Sequence, residues 1–366
     1  MTGRARVGAW PSWRIGWAAV LLALLGLSGC AEVKYVMRLD PLPDATQPTQ
    51  RWPAAPETPR YRYVGQLLGE ENFVSDGTVQ RNAGVKLFHW LVGLFDGSEE
   101  KLTLKRPQSG TVDAQGRILV TDISNHAVLV FDPVAGKLLV WGQAQAQTNF
   151  VTPIGIAMGA GGQVLVADAE LGRVFRLDQE GKPLGSFGQG VLTRPTGLAR
   201  DATLGRVYVS DTHAHDIKVF DDAGGLLEII GQRGEGPDEL NFPTHLAFSG
   251  GKLYVADSMN ARVQVFDTQG GASSTIGRRG RFVGNLSRPK GVAVDGRGHV
   301  YVVESFYDNL LVFDGAGNFL MPIGGTGKEV GQFYLPAGVW SDARGRIYVA
   351  DMFNGRVVIF QFLGAN

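Results

Sequence analysis

The chain has 366 residues, no formal net charge and only 19% charged residues, so no global field draws it to nucleic acid or acidic substrates. Its 51 glycines, about twice the average usage of roughly 7%, point to many tight turns between short strands. A single cysteine rules out an intramolecular disulfide, CxxC metal sites and haem attachment.

In chain order, Arg4, Arg6 and Arg14 precede the apolar run "WAAVLLALLGLSGC", which ends at Cys30. A basic start, a short apolar core and small residues at its end predict a secretory signal over residues 1–29. The run is shorter than the roughly 20 residues a spanning helix needs. Its ending "LSGC" resembles the bacterial lipoprotein lipobox. That resemblance implies cleavage before Cys30 and attachment of lipid to that cysteine, the alternative being an uncleaved anchor with an incidental cysteine. Residues 30–60 carry Pro41, Pro43, Pro48, Pro53, Pro56 and Pro59 among polar residues and read as an extended tether. Ala31 stands where Gram-negative lipoproteins retained at the inner membrane often carry aspartate. The expectation is therefore an outer-membrane anchor, on its periplasmic or its surface side.

From residue 61 onward the sequence is periodic. Prolines at 107, 153, 195, 243, 289 and 336 open successive units, with steps of 42 to 48 residues. Each unit reads as four strands joined by Gly- and Asp-containing turns: "GVAVD", then "VYVVE", then segments such as "RVQVFD", then segments such as "LLEIIG". A four-stranded sheet cannot bury both of its faces alone, whereas six arranged radially cover one another. The last unit ends "VVIFQFLGAN", with no room for a fourth strand. "YRYVGQLLGEENF" (residues 61–73) matches "LEIIGQRGEGPDELNF" and is expected to complete the sixth sheet and close the ring. Between this strand and the first unit lies an insertion, 74–105. There Leu87, Phe88, Leu91, Val92 and Phe95 have the spacing of a short amphipathic helix.

"GVAVDGRGHVYVVE", "LYVADSMNARVQVFD" and "IYVADMFNGRVVIF" resemble NHL repeats, and the resemblance covers almost everything from Tyr61 to the end. It implies an all-β, six-bladed β-propeller; it does not imply an activity, since such propellers serve unrelated functions. Asp122, Asp168, Asp211, Asp257, Glu304 and Asp351 end the second strands. Their recurrence in every unit argues for building the following turn rather than for a metal crown or catalysis. Arg173, Arg262 and Arg356, five residues later, are expected to brace neighbouring blades.

Function is expected where the repeats differ. Two residues beyond each acid stand Ser124, Glu170, His213, Met259, Phe306 and Phe353, with His215 and Tyr307 close by. Aromatic residues on adjacent blades suggest a contact patch, unless the insertion or an inter-blade groove covers them. His245 stands where other units carry Ser109, Gly155, Gly197, Gly291 and Gly338, at the mouth of the central channel. Peptidylamidoglycolate lyase resembles this pattern and holds a metal with propeller histidines, and virginiamycin-type lyases also rely on histidine and metal. Only His245 carries over by position, with His213 and His215 as loop candidates, against about three protein ligands for a zinc site. The chain shows no GxSxG elbow and no phosphate loop, and "GRRGRF" is a single short basic cluster. Tripartite-motif ubiquitin ligases, which also carry such propellers, need cysteine-rich modules that one cysteine cannot supply.

The expectation is a lipid-anchored, non-enzymatic binding scaffold. Its partner would be an envelope protein or small ligand, contacted through His213, His215, His245, Met259, Phe306, Tyr307 and Phe353. It would need no cofactor, touch the membrane only through its anchor and bind no nucleic acid. The alternative is a metal-dependent lyase of the peptidylamidoglycolate or virginiamycin type, holding zinc or calcium with His245 and with His213 or His215.

Overall fold

In a computed structural model of the protein, residues 34–39, 50–76 and 101–364 are described. They belong almost entirely to one compact unit, Tyr35–Val74 with Asp96–Asn366; of a second, Met1–Lys34 with Ser75–Phe95, only Lys34, Ser75 and Asp76 are described. The signal segment, Cys30 and the helix expected over residues 87–95 lie outside the described residues.

Six antiparallel sheets form a six-bladed propeller, each strand beside its neighbour in sequence order. The innermost strands of blades 1 to 6 are Pro107–Val112, Pro153–Met158, Pro195–Asp201, Pro243–Ser249, Pro289–Val294 and Val339–Ser341. The second strands are buried along almost their whole length, for example Val300–Glu304 and Val164–Asp168. This follows from their runs of Val, Ile, Leu and Tyr, which pack against a neighbouring blade on either face. The turn that returns from the innermost strand of blade 5 shows the local chemistry. Asp295 accepts the Arg297 and His299 backbone N–H groups at 2.9 and 3.0 Å, and Gly298 takes φ 86° there.

The ring closes as the repeat pattern requires. Tyr61–Leu67 runs antiparallel to Arg356–Phe362, with Val357 opposite Leu67, Ile359 opposite Gly65 and Phe362 opposite Tyr61. Gln66 accepts a hydrogen bond from Arg356 Nη1 at 3.0 Å, and the Tyr61 hydroxyl meets that of Tyr301 in blade 5 at 3.1 Å. Within the segment expected as a tether, Arg51–Trp52 adds a fifth strand outside Tyr61–Leu67, and Trp52 packs edge-on against Phe360 at 5.3 Å. The sequence reading assigned no structure to this part. A two-residue strand is too short to show alternation.

Each acid at the end of a second strand is buried and accepts at least one backbone N–H; in Asp257 and Asp351 an asparagine and an arginine side chain supply the other donors. Asp168 accepts four, from Val151, Thr152, Glu170 and Leu171, at 2.7 to 3.1 Å. Two come from the following turn, as expected, and two from the segment entering the innermost strand of the same blade. Asp122 repeats the pattern, and Glu304 receives Ser287, Arg288 and Phe306. Arg262 and Arg356 pair with Asp257 and Asp351 at 2.9 and 2.7 Å and donate onward to carbonyls of the loop between blades. Arg173 differs: it reaches only the Leu171 carbonyl, at 3.4 Å, and stacks over Phe175.

Candidate functional site

The innermost strands surround a channel with a cavity at each end of those strands. At their entering ends lies one of ≈ 430 Å³, lined by Phe242, Thr244, Met259, Arg288, Lys290, Leu335 and Met352, with Thr212, Ser258, Ser305 and Pro336. At their leaving ends lies one of ≈ 400 Å³, whose lining includes Ser109, Ile156, Leu198, His245, Val292, Val339 and Trp340. Both volumes fall in the range of small-molecule sites, roughly 300–1,000 Å³.

The candidate residues therefore divide between two places. Met259, Phe306 and Phe353 occupy equivalent positions on blades 4, 5 and 6, and their relative exposures are 48%, 61% and 50%. Equivalent positions on three consecutive blades thus carry large, exposed apolar side chains. Tyr307 packs edge-on against Phe306 at 4.9 Å, Tyr334 against Phe353 at 5.6 Å, and the Arg106 guanidinium lies over the Phe353 ring at 5.5 Å. His213 is exposed and His215 buried, both against Phe242, with ring centroids 6.3 and 4.5 Å away. His215 Nδ1 accepts the Phe242 backbone N–H at 3.2 Å, and burial pushes its pKa down, with help from Arg233. This histidine holds the loop that carries Phe242 into the cavity wall.

His245 is buried at the inner strands and lines the other cavity, not the one Met259 lines. Its Nδ1 lies 2.9 Å from the Lys290 carbonyl and donates to it, which leaves the lone pair on Nε2. Among the described residues Nε2 makes no hydrogen bond of good geometry; it lies toward the Gln108 carbonyl and Gly338 of blade 6, 3.1 Å from where a side chain at Gly338 would begin. Burial, reinforced by the Lys290 charge, pushes the imidazole pKa down to about 4, so the ring is neutral at pH 7. The glycines at the other equivalent positions have a steric cause. A Cβ on Gly155 would sit 2.7 Å from the Thr196 carbonyl oxygen, and one on Gly291 2.7 Å from that of Ala337. Neighbouring innermost strands approach too closely for side chains there.

For a metal the donor set falls short. Around His245 the cavity offers the hydroxyls of Ser109, Thr111 and Ser341 and the guanidinium of Arg200, but no second imidazole, carboxylate or thiolate. Among the described residues there is no group of three or more His, Cys, Asp or Glu placed to hold a metal ion. His213 and His215 are held on the loops around Phe242 and do not line the His245 cavity.

The sequence reading passed over Lys290, Arg288 and Arg106. Lys290 follows its blade proline, where the other blades carry Gln108, Ile154, Thr196, Thr244 and Ala337. A single charge in a column of uncharged residues was the available signal. Its ammonium contacts only the Met352 sulfur, at 3.9 Å, and among the described residues no carboxylate forms a salt bridge with Lys290, Arg288 or Arg106. Burial, with Arg106 and Arg288 adding to it, pushes the Lys290 pKa down to about 8.

Six blades and ring closure by the N-terminal strand define the chain as a six-bladed β-propeller, and it carries NHL repeats. The family model described as NHL repeat matches residues 192–220 and 240–266. The chain is 28% identical over 148 residues to the protein brain tumor of Drosophila melanogaster, covering 40% of this chain and 14% of that protein. It is 29% identical over 140 residues to peptidylglycine alpha-amidating monooxygenase of Rattus norvegicus, covering 34% and 14%. It thus spans about a seventh of the length of these curated relatives. Among solved structures, virginiamycin B lyase from Staphylococcus aureus superposes with a TM-score of 0.52 at 13% identity, covering 71% of this chain and 96% of that one. The gluconolactonase XC5397 from Xanthomonas campestris gives 0.53 at 19% identity, covering 70% and 86%. At these identities the likeness concerns the fold alone.

Proposed function

We propose that the protein is a lipid-anchored envelope protein, attached through Cys30 at the outer membrane of a Gram-negative bacterium. It would act as a non-enzymatic scaffold that binds an envelope protein or small ligand on the propeller face bearing Met259, Phe306 and Phe353. The observation that supports this reading is the exposure of large apolar side chains at equivalent positions on three consecutive blades, beside a cavity of ≈ 430 Å³. Capture from detergent-solubilised envelope with the wild-type protein and with a Phe306→Ser, Phe353→Ser double variant tests it. A partner recovered with the wild type and lost with the folded variant supports the reading, and equal recovery by both overturns it. Fractionation after Cys30→Ala tests the anchor: release from the membrane fraction is the expected result.

The alternative, a metal-dependent lyase, has one observation on its side, the neutral His245 ring in the wall of the channel cavity. Its donor set is short of the roughly three protein ligands such chemistry uses. Elemental analysis separates the two readings. Stoichiometric zinc or calcium that disappears on His245→Ala would favour the lyase.

A further inference from the structure

We propose that the cavity at the entering ends of the innermost strands is a binding site for a small amphiphilic carboxylate, with the Lys290 ammonium meeting the acid head and Met259, Leu335 and Met352 enclosing the apolar body. This rests on the reading of that face as a binding surface and names the chemistry of its cavity.

Three features carry the assignment. Among the described residues no carboxylate pairs with the cation in the cavity, and such a charge costs free energy unless an anion completes it. The cavity's other polar side chains have spent their donors: Thr212 Oγ1 donates to the Pro243 carbonyl at 2.7 Å, Thr244 Oγ1 to Lys290 at 2.7 Å, and Ser258 Oγ to Pro289 at 2.6 Å. Ser305 Oγ likewise donates to the Arg288 carbonyl, at 3.0 Å. The free donor protons inside are therefore those of Lys290, with Arg288 at the exposed edge. One half-buried ammonium matches a head of one charge. The remaining wall is thioether, aliphatic and aromatic, which suits a flexible hydrocarbon body. The Lys290 side chain is faced by Arg288 just before its strand, Arg106 from blade 1 and Met352 from blade 6, while Thr244 and the neutral His245 of blade 4 hydrogen-bond its backbone carbonyl. The carboxylate of Glu304, on the next strand of blade 5, is taken by three backbone N–H groups.

The experiment is calorimetric titration of the full chain with octanoate, octan-1-ol and acetate. Octanoate is expected to bind one to one, with the alcohol and acetate each weaker by roughly tenfold or more, since one lacks the charge and the other the body. Lys290→Met, which keeps the stem, should weaken octanoate by a similar factor at a Tm no lower than that of the wild type. Between pH 7 and 9.5 the wild type should lose at least roughly tenfold in affinity as the ammonium deprotonates. Lys290→Arg should keep its affinity across that range, because a guanidinium does not titrate there. Octan-1-ol binding as tightly as octanoate, an unaffected Lys290→Met, or a Lys290→Arg protein with the wild-type pH loss would each overturn the proposal. The Phe306→Ser, Phe353→Ser variant separates this proposal from the scaffold reading. It should lose the captured partner and keep octanoate.

Discussion

The two ends of the channel are built from the same six strands and differ in what those strands carry. At the leaving ends, the neutral His245 ring lines a cavity walled mostly by backbone and aliphatic side chains, and the imidazole hydrogen-bonds within the fold. At the entering ends, side chains outgrow the ring: Met259, Phe306 and Phe353 stand exposed, and Lys290 lacks a carboxylate. A repeat fold fixes its backbone through positions that recur and leaves the loops at one end free to vary. The departure at the leaving ends, His245, is therefore buried, whereas Met259, Phe306 and Phe353 at the entering ends stand exposed.

The sharpest way to break that comparison is to put a side chain where the strands touch. A Cβ at Gly291 would meet three backbone atoms, the Ala337 oxygen at 2.7 Å and Gly338 Cα and Val339 N at 3.0 Å. Backbone cannot swing aside as a side chain can. Gly291→Ala is expected to cost about 3 kcal/mol, the upper range for overpacking, read as a loss in the urea midpoint at constant m-value. An unchanged midpoint would mean that the inner ring is looser than described.

Next comes the acid that ties strand ends to turns. Asp168→Ala would leave four backbone N–H groups without an acceptor, and losing acceptors for buried donors costs about 2–3 kcal/mol in all, since some are rehydrated. Asp168→Asn should recover part of this, because the amide oxygen still accepts. Thermal melts of the two variants should rank accordingly.

Much of this architecture was legible because it recurs. The proline that opens each blade, the acid that ends each second strand and the Gly-Gln pair of the closing strand identify themselves by repetition, and ring closure followed from counting strands. The donors that reach each acid from the segment entering the innermost strand were not legible, since they stand 16 to 18 positions earlier with no fixed identity, such as Val151 and Thr152, Thr193 and Arg194, or Asn241 alone. His245 stood out because it broke a glycine column, yet the sequence could not say which cavity its ring enters. Lys290 broke a neighbouring column just as clearly. It was overlooked because a lysine on a strand usually means solvent, and only packing shows an ammonium facing a thioether.

A third prediction turns on protonation of His245. Its pKa is about 4 when folded, against roughly 6.5 when unfolded, so the unfolded chain takes up the proton first as pH falls. The folded state therefore loses stability from pH 6.5 downward until both forms are protonated near pH 4. Between pH 7 and pH 5 this one group accounts for about 2 kcal/mol. In His245→Gln, whose amide does not titrate, that part of the acid sensitivity should vanish. If wild type and variant lose stability in parallel over this range, the ring is solvated and does not span the channel.

The smallest effect tests the other end. Phe306 packs edge-on against Tyr307 and is otherwise open, so Phe306→Ser removes little buried area. Surface changes of this kind usually fall within about 0.5 kcal/mol. If the entering face is shaped for a partner rather than for the fold, Tm should stay constant while capture of the envelope partner falls. A Tm drop of several degrees would instead show that Phe306 belongs to the packing of blade 5. The two ends of the channel would then differ less in purpose than in exposure.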